Sequence, residues 1–107
     1  MDAEKKGLEL KTGTDEDNGI FIGAKPFMNY VTGVVMQFTV KGAHNVIVKA
    51  RGKFISRAVD VAEVACKRFL KTGVAVNQID IGSEEFANNE GKTVRVSTIE
   101  ITLKREQ

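Results

Sequence analysis

The chain has 107 residues, a formal net charge of +2 and a single cysteine. This length fits one domain with one hydrophobic core. One cysteine excludes a fold stabilised by disulfides within the chain, which suits a reducing compartment. No run of residues approaches the ~20 apolar residues that a membrane-spanning helix requires.

The first 18 residues differ in composition from the rest of the chain. They contain six acidic residues and three lysines without apolar periodicity, so residues 1–18 are predicted to form a disordered acidic tail without a signal peptide. The predicted folded domain, residues 19–107, holds 13 basic and eight acidic side chains, a net charge of +5. The tail either shields this basic domain or, in the simpler interpretation that we favour, keeps the chain soluble.

A short buried strand is predicted over residues 19–23, and a helix is predicted from Pro26 to near Gly42. Proline suits the first helical position because it has no N–H group to leave unpaired. The apolar residues of the helix recur at spacings of three and four, which indicates one buried face. They are Phe27, Tyr30, Val31, Val34, Val35 and Phe38. Lys25 therefore lies at a junction between a strand and a helix.

The next segment, residues 45–60, repeats the order of strand and helix. Arg51, Lys53 and Arg57 lie where a buried strand passes into a helix predicted over residues 54–70. The first turn of a helix carries unpaired N–H groups and the positive end of the helix dipole, so basic residues there predict a binding site for a polyanion. Taken alone, the segment favours a simpler interpretation, in which these charges only solvate the turn.

The two junctions are predicted to lie side by side. Two strands joined by a helix run parallel in nearly all cases, so their C-terminal ends share one edge of the sheet. Lys25 is therefore expected near Arg51, Lys53 and Arg57, although more than 25 residues separate it from Arg51. This convergence strengthens the interpretation as a polyanion site.

The second predicted helix is apolar on more than one side. Val61 and Val64 lie off its main stripe, which contains Ile55, Ala58, Val59, Ala62, Ala65, Cys66 and Phe69. A chain this short cannot bury every side of a peripheral helix, so the pattern predicts self-association. Cys66 is predicted to be a small buried hydrophobe.

A β-hairpin is predicted at the C-terminal end of the chain. Its strands cover residues 74–83 and 92–104, and its turn lies at residues 88–91. The alternation of apolar residues slips in phase near Asn77, which predicts a bulge.

The outer half of this hairpin has little apolar surface to bury and is expected to project from the domain as an arm. Its basic residues Lys92 and Arg95 suit entry into a groove of a duplex. The alternative is a flexible surface hairpin. Glu84, Glu85 and Glu90 support that alternative because they dilute the positive charge.

Three motifs occur in order between residues 19 and 105, at residues 22–31, 47–60 and 95–101. Together they resemble the Alba family of small archaeal chromatin proteins. The resemblance implies an α+β fold, a compact two-layer sandwich with the element order β-α-β-α-β-β and a protruding hairpin arm, similar to the C-terminal domain of a translation initiation factor. It also implies a homodimer that binds double-stranded DNA and RNA with little sequence preference.

The resemblance further implies roles for individual residues. In similar proteins the body of the dimer contacts the nucleic-acid backbone, and the arms reach into minor grooves. In this chain the residues of the arms that would contact the nucleic acid are Lys92 and Arg95. Those of the body are Lys25, Arg51, Lys53 and Arg57.

Two further features of the family concern assembly and regulation. Phe69, with Leu70 beside it, matches an aromatic residue that packs one dimer against the next along DNA, although Phe69 also fits the core at a helix end. The first junction often carries two adjacent lysines, one of which is acetylated to weaken DNA binding. The matching position here is Ala24, so that switch is absent or has moved to Lys25.

Two functions therefore remain from the sequence. The first is an architectural chromatin protein that coats, compacts or bridges DNA on the chromosome in the cytoplasm. The second is an RNA-binding protein or RNA chaperone in a ribonucleoprotein such as an RNase P-like particle. We expect no membrane partner and no cofactor.

Catalysis has little support in the sequence. His44 is the only histidine, and no cysteine, serine or carboxylate lies at a spacing that indicates a catalytic triad or a metal site. We therefore expect neither enzymatic activity nor a bound metal. A weaker third alternative is a nuclease whose metal is bound by Glu84, Glu85 and Glu90.

Overall fold

Two strand-helix units followed by a hairpin make up the computed structural model of the protein, in the order predicted from the sequence. The structure describes residues 18–71 and 73–106, so the predicted acidic tail, apart from Asn18, lies outside the described residues. The elements are β1 (Gly19–Phe21), α1 (Phe27–Thr39), β2 (Asn45–Arg51), α2 (Ile55–Val64), β3 (Val74–Ala87) and β4 (Thr93–Arg105). A 3-10 turn, Gly52–Phe54, precedes α2, and a π-helical stretch, Ala65–Phe69, continues it.

All four strands form one mixed sheet in the order β1-β2-β4-β3. β1 and β2 are parallel, as their connection through α1 predicts, and β4 lies antiparallel between β2 and β3. The predicted α+β fold with the order β-α-β-α-β-β is confirmed. This strand order makes β1 one edge of the sheet and β3 the other.

The hydrophobic core lies between the two helices and one face of the sheet. Alternate residues of β2 and β4 point toward the helices, since successive side chains of a strand point to opposite faces. The buried residues of the strands are Val46, Val48, Ala50, Ile99, Ile101 and Leu103 in β2 and β4 and Val74 at the start of β3, and those of the helices include Val31, Val34, Phe38, Ala58, Val61, Ala62 and Ala65. The other face of the sheet, here called the open face, carries Lys49, Arg51, Thr98 and Glu100, which occupy the alternate positions.

The buried face of α2 differs from the predicted stripe. Val61, predicted to lie off the stripe, is fully buried, whereas Val59 and Phe69 are exposed. Part of the reason is the π-helical stretch, in which the N–H of Leu70 donates to the carbonyl of Ala65 at 2.8 Å. The extra residue in this turn shifts the helical phase, so that Leu70 is buried in place of Phe69.

The ends of α1 also differ slightly from the prediction. The helix begins at Phe27, one residue after Pro26, and ends at Thr39, three residues before Gly42. Gly42 has a φ of 70° and lies in the turn that leads to β2, where a left-handed conformation favours glycine.

A two-stranded arm, defined as residues 83–97, extends beyond the sheet. The pairing of β2 with β4 ends at Arg51 and Thr98, whereas β3 and β4 continue to pair from Ser83 and Ser97 to Ala87 and Thr93. At the rise of a β-strand, these five pairs reach ~17 Å. The arm therefore projects at the end of the sheet where β2 finishes, and the bulge predicted near Asn77 is confirmed between Val76 and Gln78.

Candidate nucleic-acid interface

The first junction, between β1 and α1, is held by a tyrosine hydroxyl. The N–H groups of Gly23 and Lys25 donate to Oη of Tyr30 at 3.0 and 3.1 Å. This role of Tyr30 was not predicted from the sequence, where Tyr30 counts only as an apolar residue of the helix. Its hydroxyl group could have indicated the role, since a half-buried tyrosine needs a hydrogen-bond partner. These bonds fix the backbone at Lys25, whose side chain is exposed.

Arg57 ties the second junction, between β2 and α2, to the first. Its guanidinium donates to the carbonyl of Gly23 and lies 5.7 Å from the centre of the Tyr30 ring. The two junctions are therefore adjacent, as the parallel strands predict. Arg57 is half-buried and its guanidinium helps to hold the two junctions together, and its predicted phosphate contact stays a prediction.

The second junction presents Arg51 and Lys53 to solvent. Gly52 between them has a φ of 59°, and a Cβ at this position would approach Cγ2 of Val96 to 3.2 Å. Only glycine fits this turn without strain, because the conformation is left-handed and the base of the arm lies close by. Lys53 is exposed, with its Nζ 5.5 Å from the centre of the Phe54 ring.

The helix starts at both junctions lack a side-chain cap. In the described part of the chain, no side chain makes a capping hydrogen bond at the start of α1 or at the start of the 3-10 turn Gly52–Phe54. Uncapped N–H groups at a helix start are donors for phosphate oxygens, and the helix dipole adds to the attraction. The junctions thus combine backbone donors with exposed Lys25 and Lys53.

Arg51 is paired with a carboxylate of the arm. Its Nη1 donates to Oε1 of Glu84 at 3.0 Å, and each side chain is 56% exposed. From the sequence Glu84 is only a charge that dilutes the basic surface, because no local pattern joins residues 33 positions apart. The pair follows from the strand order, which brings the base of the arm beside the end of β2.

We expect Glu84→Gln to raise the affinity for duplex DNA about two- to five-fold, since an exposed ion pair contributes up to ~1 kcal/mol. The substitution frees Arg51 for phosphate and removes one negative charge from the interface. A binding titration near 0.1 M salt measures the change. Glu63→Gln is the matched control, because Glu63 pairs with Lys67 at 3.2 Å on α2. Equal gains in both variants would contradict a specific role for Glu84.

The predicted contacts of the arm lie farther from the junctions. The N–H of Lys92 donates to Oδ1 of Asn88 at 3.0 Å, which helps to close the predicted turn, and its side chain is exposed. Nε of Arg95 donates to Oγ of Ser83 at 3.3 Å. The pairing of β2 with β4 ends at Thr98. At the rise of an extended strand, Arg95 lies ~10 Å and Lys92 ~20 Å beyond that point. The arm and the junctions thus share one end of the molecule.

Phe69 and Leu70 lie at the other end of α2 and differ in exposure. Phe69 is 52% exposed, whereas Leu70 is 8% exposed and belongs to the core. Phe69 lines an open groove of about 740 Å³ together with Arg68, Lys71 and Arg105. Contact with a second molecule is therefore available to Phe69, and Leu70 serves the fold of its own chain.

Cys66, in the π-helical stretch, is buried as predicted. Burial raises the pKa of its thiol, and the charge of Glu63 raises it further, against a smaller opposing effect of Lys67. The protonated thiol therefore dominates at neutral pH, which makes Cys66 a packing residue rather than a nucleophile.

The hairpin glutamates do not assemble into a metal site. In residues 18–71 and 73–106, no group of three or more histidine, cysteine, aspartate or glutamate side chains is arranged to hold a metal ion. Glu84 is engaged with Arg51 instead.

None of the helices in the described residues is long and apolar enough to cross a membrane.

Comparison with known proteins links this arrangement to a nucleic-acid-binding family. The Alba family model matches residues 18–83. A relative in Methanocella arvoryzae, named DNA/RNA-binding protein Alba, is 56% identical over 90 residues, or 84% of this chain and 92% of the relative. A relative of the same name in Methanococcus maripaludis is 49% identical over 81% of this chain and 97% of the relative. The solved structure of Alba from Thermoplasma volcanium matches with a TM-score of 0.75 at 46% identity, over 81% of this chain and 99% of that chain.

Proposed function

Because the chain belongs to the Alba family, we propose that it binds double-stranded DNA without sequence preference, as a homodimer that coats, compacts or bridges DNA, and that it also binds RNA. The observation that carries this proposal is the gathering of basic residues at one end of the molecule. Lys25, Arg51 and Lys53 lie at two adjacent junctions, and Lys92 and Arg95 lie on the arm that extends from the same end. Such a surface contacts the phosphate backbone, and phosphate contacts depend little on the base sequence.

The homodimer is supported by the apolar surface of β3. Ile79 and Ile81 pair with Ile101 and Ile99 of β4, so their side chains share the core face of the sheet. Ile101 and Ile99 are buried, whereas Ile79 is 57% and Ile81 82% exposed. The helices therefore do not cover the outer strand. A second copy of the chain is the occupant that we propose for this surface, and Val76 would extend it.

Dimerisation would double the number of cationic contacts offered to one duplex. Each protomer supplies one pair of junctions and one arm, so a dimer holds two of each. Two arms on one body suit entry into successive grooves of a duplex, with Lys92 and Arg95 as the residues that reach them. The two linked sites also gain from effective concentration, since the second contact is made within the complex.

RNA binding in a ribonucleoprotein is a second candidate function, favoured by the names of the relatives, which include both nucleic acids. A titration of the full chain against matched duplex DNA, duplex RNA and structured RNA at several salt concentrations distinguishes the two. Equal affinity for unrelated DNA duplexes, falling steeply with salt, supports the architectural function. A persistent preference for structured RNA supports the second function. Absence of binding to all three would contradict both.

The remaining roles from the resemblance belong to the same proposal. Phe69 would contact a neighbouring dimer on DNA, and acetylation of Lys25 would remove one positive charge from the first junction. The protein would be associated with the chromosome in the cytoplasm. The nucleic-acid-binding domain would comprise residues 19–107, with residues 1–18 as a tail outside it.

A further inference from the structure

Phe21 is an exposed aromatic residue that the contacts described above do not use. It ends β1, and its side chain is 63% exposed, whereas the next residue, Ile22, is 4% exposed. The alternation of the strand directs Ile22 into the core and Phe21 to the open face of the sheet. A single exposed apolar residue needs no explanation by itself. Phe21 is notable because basic residues surround it on the open face.

Two cations lie beside Phe21 on the open face. Lys49 is its partner in the register of β1 and β2, and its Nζ lies 5.4 Å from the centre of the Phe21 ring. Arg51 follows two positions later on the same face. These residues line a shallow recess of about 120 Å³, together with Ala50, Glu84, Thr98, Ile99 and Glu100. The recess therefore joins an accessible aromatic ring to the second junction.

We propose that Phe21 stacks against an unpaired base of single-stranded RNA or DNA, while Lys49 and Arg51 contact the adjoining phosphates. This inference rests on the proposed nucleic-acid binding and adds a class of ligand to it. Single-stranded nucleic acids are recognised by aromatic rings beside a basic surface, since every base has a π face. The ring is 63% exposed and therefore accessible to a base, and Lys49 makes a cation–π contact with the same ring.

The recess discriminates between single strands and duplexes. Bases inside a duplex are stacked on their neighbours and offer only their edges, so Phe21 has nothing to stack against there. Only an unpaired base can enter the recess. The recess is continuous with the second junction, because Arg51 lines it.

The charges in the recess make stacking the main source of its affinity. Glu84 and Glu100 balance Lys49 and Arg51, so the net charge of these four side chains is zero. Stacking releases no counterions, whereas each phosphate contact does. Loss of the Phe21 ring should therefore lower the affinity by the same factor at every salt concentration.

Phe21 remains accessible in the proposed homodimer. It lies on β1, at the edge of the sheet opposite β3, where the second copy would bind. The two sites also lie on opposite faces of the sheet, because Phe21 points to the open face, whereas Ile79 and Ile81 share the core face.

The test compares Phe21→Ala with Phe21→Tyr and with Met36→Ala in the full chain. Met36 is the matched control, because it is a large apolar side chain that is 45% exposed and lies near the C-terminal end of α1, away from the junctions. The ligands are an unstructured single-stranded RNA, the DNA of the same sequence and the corresponding DNA duplex, each too short to bind two dimers. Fluorescence anisotropy of labelled strands gives the affinity at several salt concentrations, and thermal melting verifies the fold of each variant.

Phe21→Ala is expected to lower the affinity for both single strands about ten-fold at each salt concentration. Duplex affinity should change less than two-fold, and Phe21→Tyr should bind as the wild type does. A loss no larger than that of Met36→Ala, an equal loss on the duplex, or a loss restricted to one of the two sugars would overturn the inference. Failure of the wild type to bind any duplex would instead contradict the proposed function.

Discussion

Replacing Arg51 and Lys53 together by alanine is expected to weaken binding to every DNA duplex to a similar extent, by roughly 100-fold or more near 0.1 M salt. Both side chains are exposed at the second junction, where the helix start has no side-chain cap. A phosphate contact releases counterions and contributes about 0.9 to the slope of log affinity against log salt. The double variant should therefore flatten the slope by up to ~2 for each protomer that contacts the duplex. Titrations on two unrelated duplexes at four salt concentrations measure both quantities.

The matched control for this double variant is Lys67→Ala with Arg68→Ala. It removes the same charge from the opposite end of the α2 region, ~20 Å from the junction by helical rise. Lys67 and Arg68 are exposed, so the fold should tolerate their loss. An equal fall in affinity for both double variants would mean that net charge, rather than the junction, determines binding. A fall confined to one duplex sequence would contradict readout of the backbone.

Ile81→Asp is expected to convert the protein into a monomer and to lower duplex affinity by roughly 100-fold through loss of bivalent binding. Ile81 is 82% exposed on the face of β3 that continues the core. An aspartate there would have to lose its hydration at an apolar interface, which is costly for an unpaired charge. Light scattering coupled to size-exclusion chromatography gives the mass of the particle, and the same duplex titration gives the affinity.

Val40→Asp is the control for this variant. Val40 is 67% exposed just beyond α1, and the substitution adds the same charge outside the proposed interface. It should leave the particle mass unchanged and lower duplex affinity only slightly. A dimeric Ile81→Asp protein would contradict the β3 interface. A monomeric variant with wild-type affinity would contradict the contribution of the dimer to binding.

The sequence predicted the secondary structure well where periodicity and turn residues agreed. The hairpin turn, the bulge near Asn77 and the two strand-helix units depend on patterns within a few residues, and such patterns act locally. The face of α2 was harder to predict. Val61 and Val59 are both apolar and two residues apart, and contact with the sheet decides which of them is buried.

Contacts between distant residues changed the description of the interface. The parallel strands predicted that Lys25 lies near Arg51, Lys53 and Arg57. The contact of Arg57 with Gly23 agrees with that prediction. The sequence did not reveal that Arg57 faces its own chain. Both this contact and the pair of Arg51 with Glu84 depend on long-range geometry that periodicity does not contain.

The sequence by itself determined the order of the elements, the family and the basic character of the two junctions, since these depend on local patterns and motifs. The tertiary structure decided which charges are free. It engages Arg51 with Glu84, uses Arg57 to join the junctions and leaves Lys25 and Lys53 exposed. It also decided which apolar residues stay exposed, because β3 and the end of β1 lie at the two edges of the sheet. The reason in each case is that strand order and register bring together residues that the chain holds far apart.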